Sequence, residues 1–190
     1  MTNRVRKSSR RRAGPMGVGP WLSIRVELVE GRGGRYWPRP GRLFAAAISH
    51  SYAQLATAID DAFARWDRSH LHEFVLADGT RIGTSGPDMD ADVVDESRER
   101  LSKLQASQQF VYVFDFGDDW THLCTVVEAG IDPHEVLGVV PYAPMPYFGW
   151  GNIPDQYGRA SAEEDDEAPA RLDPELKDLP PLRPGWGPQR

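Results

Sequence analysis

Two apolar stretches in the middle of the chain place the strongest constraint on its fold. Residues 109–116 and 120–127 are both rich in aromatic and β-branched residues, and only Gly117-Asp118-Asp119 separates them. Strand-forming stretches joined by so short a polar connection form an antiparallel β-hairpin. We therefore expect a sheet in which these two strands are neighbours.

The length of the connection decides which side chains share a face of this hairpin. A connection of two or four residues groups three side chains of each strand on one face: Val111, Val113 and Asp115 with His122, Cys124 and Val126. With a two-residue connection, Asp115 lies directly opposite His122. The other face is the more hydrophobic one and is predicted to face the core; it holds Phe110, Tyr112, Phe114 and Phe116 with Leu123, Thr125 and Val127.

Further periodic segments predict the rest of the sheet and one main helix. Residues 21–29 alternate between apolar and polar side chains, which predicts a strand, and residues 42–48 predict a second strand that pairs with it. Ser51 and Gln54 fit a capping box ahead of a helix at residues 52–65. Residues 71–77 and 80–82 predict two more strands and a helical turn follows near Leu101, whereas the acidic segment 83–95 has too little apolar content to pack. The predicted fold class is α+β: a single domain with a mostly antiparallel sheet packed against one main helix.

Composition divides the 190 residues into one domain and two tails. Residues 1–13 contain six basic residues and no acidic one, and the remaining 16 basic and 28 acidic residues leave the rest of the chain with a net charge of −12. Residues 1–20 are predicted to be a disordered basic arm and residues 160–190 a disordered, acidic and Pro-rich tail, which leaves a domain at residues 21–159. The preferred interpretation of the arm is a solvated tail; the alternative is that residues 1–13 contact nucleic-acid phosphates.

The cysteine count and the hydropathy pattern indicate a compartment. Cys124 is the single cysteine, so no disulfide can form within the chain and a reducing compartment is favoured. No apolar run follows the basic N-terminus as a signal peptide requires, and no stretch is long enough to span a membrane. We therefore expect a cytoplasmic protein without a membrane partner.

Histidines and acidic residues interrupt the predicted strands and form a candidate functional cluster: His70, His72, Asp115, Asp119 and His122. His70 and His72 are two residues apart in a strand, so they share a face. The imidazoles of His70, His72 and His122, with a carboxylate from Asp115 or Asp119, could hold a divalent metal such as Zn²⁺. In the alternative, Asp115 and His122 form a cross-strand polar pair and the other two histidines bond to the backbone. The spacing matches no metal-binding signature, so the polar-pair interpretation is preferred.

The Pro-, Gly- and aromatic-rich segment 141–151 has two interpretations. Its aromatic side chains, with Tyr147 and Trp150 as candidate binding residues, could recognise a protein or a small-molecule ligand. Alternatively, the segment folds back over the sheet as a lid. The lid is favoured because so many exposed large aromatics would form an aggregation-prone patch.

Several motifs give the chain a resemblance to a known family. Trp66-Asp67, Ser69-His70-Leu71-His72-Glu73-Phe74 and the stretch from Tyr112 to His122 look like the hallmark motifs of the plasmid pRiA4b ORF-3-like family, and residues 146–151 and 155–158 resemble the end of that domain. The resemblance covers about residues 21–159. It implies an α+β domain linked to plasmids or mobile elements, but no chemistry. The sequence departs from the family at two places. A Pro-x-Trp-Arg pattern of the family is present only loosely, at residues 37–40, and the Cys-rich tail of other members is absent. Any metal site that depended on that tail would therefore be missing here.

Two classes of function follow from the sequence. The leading hypothesis is a non-catalytic binding or adaptor domain that presents the histidine face and the Pro/aromatic segment to a protein or a small ligand, because the chain has no recognised catalytic signature. The alternative is a metal-dependent hydrolase, with nucleic acid among its candidate substrates, that uses His70, His72 and His122. The sequence leaves open whether the chain is an enzyme, and a zinc-type divalent metal is the only cofactor it suggests.

Overall fold

The computed structural model describes residues 20–86 and 90–158. Within these residues nine strands form one sheet, accompanied by the helices α1 (Tyr52–Ala62) and α2 (Pro133–Leu137) and a 3-10 turn at Leu101–Lys103. The strands are β1 (Trp21–Gly31), β2 (Gly34–Arg35), β3 (Gly41–Ala47), β4 (His72–Leu76), β5 (Arg81–Gly83), β6 (Val93–Asp95), β7 (Gln109–Phe114), β8 (Trp120–Ile131) and β9 (Met145–Trp150). Residues 1–19 of the predicted basic arm and the whole predicted acidic tail lie outside the described residues.

The strands follow the order β6-β5-β4-β7-β8-β1-β3-β9 across the sheet, and β2 forms a short hairpin with β1. All neighbouring pairs are antiparallel except β5 and β6, which run parallel. The predicted pairing of the first two long strands is confirmed, since Ile24 of β1 lies opposite Phe44 of β3. The hairpin of β7 and β8 stands at the centre of the sheet.

One face of the sheet, the core face, packs against α1. The alternation predicted for β1 is confirmed: Leu22, Ile24, Val26 and Leu28 are buried in one cluster with the apolar residues of the helix. The helix begins where the capping box predicts, because Gln54 N donates to Ser51 Oγ (3.2 Å) and Ser51 N donates to Gln54 Oε1 (2.9 Å). These two bonds satisfy backbone groups that the first turn of a helix cannot satisfy itself.

The architecture is a mostly antiparallel, mixed sheet with two short helices, so the sheet dominates the fold more than the sequence predicts. The helix expected at residues 52–65 ends at Ala62, and α2 has five residues. No helix in the described part of the chain is long and apolar enough to cross a membrane. α1 packs on one face of the sheet, and α2 covers part of the second face, which we call the outer face.

The β7–β8 hairpin differs from the sequence prediction in one decisive respect. Its connection has five residues, 115–119, because Phe114 pairs with Trp120 and Tyr112 pairs with His122. An odd number of connecting residues places even-numbered residues of both strands on the same face. His122 therefore lies on the core face and not opposite Asp115, and the predicted grouping of the β8 residues is inverted.

Two further segments also differ from expectation. Within the acidic segment 83–95, Val93–Asp95 forms the edge strand β6, which the sequence prediction missed. The Pro/aromatic segment forms the edge strand β9 on β3, and not a lid. A second, smaller core cluster lies where α2 covers the outer face; it contains Trp21, Ala45 and Ala47 with Ile131, Val136, Leu137 and Tyr147.

Candidate functional site

His70 lies at the centre of a hydrogen-bonded group just before β4. Its Nδ1 is 3.2 Å from Asp115 Oδ2, and its Nε2 is 2.9 Å from the hydroxyl of Tyr157. Tyr157 in turn donates to Asp67 Oδ2 at 2.6 Å. Each nitrogen of the imidazole thus has a partner within the chain, and the ring joins the loop before β4 to the β7–β8 connection and to the C-terminal end of the domain.

The ionised carboxylate of Asp67 determines where the Tyr157 hydroxyl proton points. Hydrogen bonds from Ser69, then from Tyr157, lower the pKa of Asp67 to about 2, so its carboxylate is ionised and accepts. The same bond raises the pKa of Tyr157 to about 12, so the phenol keeps its single proton and directs it at Asp67. The Tyr157 oxygen is then an acceptor toward His70 Nε2. Asp115 holds its place through a second bond, since Gly117 N donates to its Oδ1 at 3.0 Å.

The C-terminal end of the domain is fastened to the same loop. Trp66 Nε1 donates to Asp155 Oδ2 (3.0 Å), Asp67 N donates to Gln156 Oε1 (3.0 Å), and Gln156 Nε2 donates to Asp67 O (3.2 Å). Asp155 and Gln156 are both buried. The Trp66-Asp67 pair therefore has a structural role, which is to hold residues 155–157 against the sheet.

His72 makes a separate pair. Its Nε2 is 2.8 Å from Glu96 Oε2, and Thr84 Oγ1 donates to Glu96 Oε1 at 3.3 Å. Burial alone would lower the pKa of His72, but the hydrogen bond and the charge of Glu96 outweigh burial and raise it. His72 is thus held by a carboxylate, and not by the backbone as the polar-pair prediction has it.

A buried carboxylate lies deeper on the core face. Asp60 of α1 is 2% exposed, and its Oδ1 accepts a hydrogen bond of 2.7 Å from the hydroxyl of Tyr112. Its Oδ2 is 3.5 Å from Arg68 Nη1. Burial raises the pKa of Asp60 to about 6, and the bond from Tyr112 limits the rise. The carboxyl group therefore titrates close to the neutral range.

His122 lies among aromatic rings in the interior. Its ring centroid is 4.7 Å from that of Phe63 and 5.6 Å from that of Tyr112. Burial, followed by the charge of Arg65, lowers its pKa to about 3, so the imidazole is neutral at physiological pH. Arg65 is also fully buried, with its Cζ 3.5 Å from the ring centroid of Trp120.

The structure does not bring the five predicted site residues into one cluster. His70 pairs with Asp115, His72 pairs with Glu96, and His122 is enclosed in the core. Asp119 has a positive φ of 52° and donates its N–H to Asp115 O, so it belongs to the turn. Among the described residues, no three His, Cys, Asp or Glu side chains are grouped so that they could hold one metal ion.

The two predicted binding residues of the Pro/aromatic segment are partly buried. Tyr147 forms a 2.7 Å hydrogen bond with Ser23 Oγ, and Trp150 covers Gly41 and donates to Arg39 O at 2.9 Å. The exposed aromatics nearby are Phe148 (59%) and Trp37 (86%). The ring of Phe148 is 6.2 Å from that of Trp150, and Arg39 Cζ is 5.9 Å from the ring of Trp37. We call the surface formed by Trp37, Arg39, Phe148 and Trp150 the aromatic edge.

A cleft of about 160 Å³ lies near the opposite edge of the sheet. Leu71, Glu73, Arg81 and Phe116 are among its lining residues. Arg81 is bonded to Glu73 Oε2 (3.0 Å) and to Asp90 Oδ2 (2.6 Å), so its positive charge is already paired with two carboxylates. His72 is also among the residues that line the cleft. Its imidazole packs with Tyr112, with 5.6 Å between the ring centroids.

Comparison with known proteins finds one matching family and a similar solved structure. The family model described as plasmid pRiA4b ORF-3-like protein matches residues 41–142, which is more than half of the chain. The chain belongs to this family. A protein of unknown function from Methanosarcina mazei Go1, solved by crystallography, is 22% identical over 70% of each chain and has a TM-score of 0.56. That likeness shows a shared fold, and no curated protein sequence matches the chain.

The geometry explains what the pRiA4b ORF-3-like motifs of this chain do. The first motif contacts the second through His70 and Asp115. It contacts the third through Tyr157, which lies against Trp66, Asp67 and His70. The three motifs thus form one hydrogen-bonded joint. The sequence signal that could have revealed this joint is that all of its residues belong to motifs of one family. Sequence reasoning missed two further residues. Glu96 lies in a segment without a motif or a periodicity that marks it, and Arg65 lies in the predicted helix 52–65, where a charged residue is expected on the exposed side and not buried.

Proposed function

We propose that the chain is a non-catalytic protein-binding domain that binds an extended peptide segment of a partner protein along β9. The observation that supports this most is the nature of that edge. β9 ends the strand order, and no other strand in residues 20–86 and 90–158 pairs with its outer side. An unpaired strand offers backbone N–H and C=O groups to an incoming strand, which is the recognition mode called β-augmentation.

The two edges of the sheet differ in how they are protected. β6 is three residues long, ends in Asp95 and follows the acidic residues Asp90 and Asp92. Short length and charge are the usual means by which an edge avoids pairing. β9 is six residues long and has no charged side chain: Met145, Pro146, Tyr147, Phe148, Gly149 and Trp150. This difference favours β9 as the pairing edge, with Pro146 as the one residue of β9 that has no N–H to donate.

The side chains of the aromatic edge indicate the partner's chemistry. Phe148 and Trp37 expose large ring surfaces that an apolar side chain of the peptide would cover, at about 25 cal/mol per Å². Arg39 has no carboxylate within ion-pair distance among the described residues, so its positive charge is free to pair with an acidic side chain. The peptide that fits is extended, apolar at alternate positions and acidic near Arg39.

The remaining hypotheses are less well supported. A metal-dependent hydrolase that uses His70, His72 and His122 stays a prediction. The separate positions of the three imidazoles speak against it, since His70 contacts Asp115, His72 contacts Glu96 and His122 lies in the core. The cytoplasmic location and the link to plasmids or mobile elements stay predictions too, because they rest on cysteine usage and on the family's name. Contact of residues 1–13 with nucleic acid falls outside the described residues.

A selection from a random peptide library tests the proposal. The full chain is immobilised, enriched 12-residue peptides are synthesised, and their Kd values are measured by tryptophan fluorescence. We expect peptides with alternating apolar residues and at least one acidic residue. Phe148→Lys should weaken their binding about tenfold or more, since it removes about 1.4 kcal/mol or more of contact energy at the centre of the surface.

Tyr142→Lys is the matched control, because Tyr142 is an exposed aromatic residue (86%, against 59% for Phe148) outside β9. It should leave the Kd values within about twofold. Amide signals of β9 should shift in NMR spectra when a selected peptide is added. The proposal fails if the library yields no enriched peptide, or if the two lysine variants lose binding equally.

A further inference from the structure

Five buried nitrogen atoms at one end of β8 have no hydrogen-bond partner among the described residues. They are Arg65 Nε and Nη2, Trp120 Nε1, and both ring nitrogens of His122. All three side chains are at most 1% exposed. Buried polar atoms are nearly always bonded in native proteins, so five in one place require an explanation.

The three side chains belong to one region of the interior. Trp120 and His122 are two residues apart on β8 and point to the core face together. The Arg65 guanidinium lies against the Trp120 ring, with its Cζ 3.5 Å from the ring centroid, and its charge acts on His122. Nη1 of Arg65 donates to Pro154 O at 3.3 Å, which leaves the edge that carries Nε and Nη2 without a partner.

The charge of Arg65 is not neutralised by a contact within the described part of the chain. Two buried carboxylates, Asp60 and Asp155, act on the charge of Arg65 without forming an ion pair with it. Asp60 is engaged by Tyr112 and Arg68, and Asp155 accepts from Trp66 Nε1. Asp60 meets Arg65 through its backbone oxygen, which accepts from Arg65 N at 2.8 Å. A buried guanidinium without a direct ion pair is costly, so a bound anion would satisfy both the charge and the unbonded donors.

We propose that Arg65, Trp120 and His122 form an internal binding site for a small carboxylate of the formate or acetate class. The adjacent Nε and Nη2 of a guanidinium form a fork that matches the two oxygens of a carboxylate. The Trp120 indole is a donor only, and a neutral His122 offers one further N–H. The rings of Phe63 and Tyr112 lie against His122, so a ligand at this place has to be small. This site is on the core face and is independent of peptide binding at β9.

Thermal unfolding of the full chain tests the site. The chain is heated in 1 to 100 mM sodium formate, with sodium gluconate holding the ionic strength constant. Gluconate carries the same carboxylate on a chain too long for an enclosed site. At about one hundred times its Kd, formate should raise the Tm by about 5 °C. NMR of ¹³C-formate should show one bound equivalent.

Three variants make the result specific. Arg65→Met should abolish the formate-dependent rise in Tm, whereas Arg81→Met, which removes an arginine paired with Glu73 and Asp90, should leave it intact. Trp120→Phe keeps an aromatic ring beside Arg65 and removes one donor, so about tenfold more formate should be needed for half of the rise. This variant decides the matter if Arg65→Met does not fold.

Either of two results overturns the proposal. One is a wild-type Tm that does not respond to formate together with no bound formate in the NMR titration, which would mean that water alone meets these nitrogens. The other is a formate-dependent rise in Tm that is equal in wild type and in Arg65→Met. If Arg65→Met does not fold, an equal rise in wild type and in Trp120→Phe has the same meaning. Either result would place the formate effect elsewhere on the chain.

Discussion

Replacement of Asp60 by asparagine should make the protein less sensitive to pH, with a magnitude that follows from the position of this residue. Asp60 is 2% exposed, so its ionised form loses most of its hydration in the folded state. Burial raises its pKa from 3.8 to about 6, and the hydrogen bond from Tyr112 offsets only part of that rise. A rise of about two pKa units corresponds to about 3 kcal/mol.

The sign of the effect follows from proton linkage. Between about pH 4 and pH 6 the folded chain keeps a proton on Asp60 that the unfolded chain has lost. The free energy of unfolding of the wild type therefore falls as pH rises through this window, and stays lower above it. The amide of the asparagine variant does not titrate. The stability of Asp60→Asn relative to wild type should thus increase by about 3 kcal/mol from pH 3.5 to pH 7.

Urea unfolding at half-unit pH intervals measures this difference directly, and any constant cost of the amide cancels. Tyr112→Phe serves as a second probe. Its hydroxyl lowers the pKa of Asp60, so its removal should move the pH window of the wild-type stability loss upward. A stability difference that stays flat within about 0.5 kcal/mol, or that falls with pH, would refute the reasoning, since either requires an Asp60 whose proton affinity does not rise on folding.

Three other substitutions test separate parts of the structure. Glu96→Gln should lower the pKa of His72, measured by NMR titration. Because Glu96 raises the folded-state pKa of His72, it stabilises the fold mainly at low pH. The variant should therefore lose more free energy of unfolding, relative to wild type, at pH 5.5 than at pH 8.5 in urea unfolding. Gly31→Ala should destabilise by about 2 kcal/mol or more, since its Cβ would lie 2.2 Å from Trp120 Cε3; a loss under about 0.5 kcal/mol would contradict this packing. Ser51→Ala should cost about 1 kcal/mol in thermal unfolding by removing the capping box, and no loss would mean that water caps the helix equally well.

Local periodicity predicts most of the elements of this fold, because it reports which side chains avoid water. The alternation in β1 and the capping box of α1 are predicted correctly for this reason. Which residues of β8 face the core is predicted wrongly. Asp115 and Asp119 both adopt positive φ, 59° and 52°, and so extend the connection to five residues. One residue more or less inverts every side chain of a strand, and aspartate is a residue type that enters this conformation at low cost.

The histidine positions are mispredicted for a related reason. Sequence reasoning assigns polar residues to exposed faces, whereas His122 is enclosed with Phe63 and Tyr112. His70 and His72 are predicted in one strand, but β4 begins at His72 and His70 precedes it. Each of the two histidines pairs with a carboxylate from a loop. Those loops come from distant parts of the chain, and no local pattern indicates which loop reaches which strand.

The polar interior also bears on what this domain has been selected for. Apolar side chains of similar volume in place of buried charged groups are often neutral or stabilising, so Arg65 and His122 are costly components of a core. Asp60 adds to that cost at neutral pH. A core under pressure for stability alone would favour Leu, Met and Phe at these positions. Three polar groups in one region of the core face therefore point to selection for binding or positioning in the interior. The joint of Asp67, His70, Asp115 and Tyr157, in contrast, connects three segments of the chain and serves the fold.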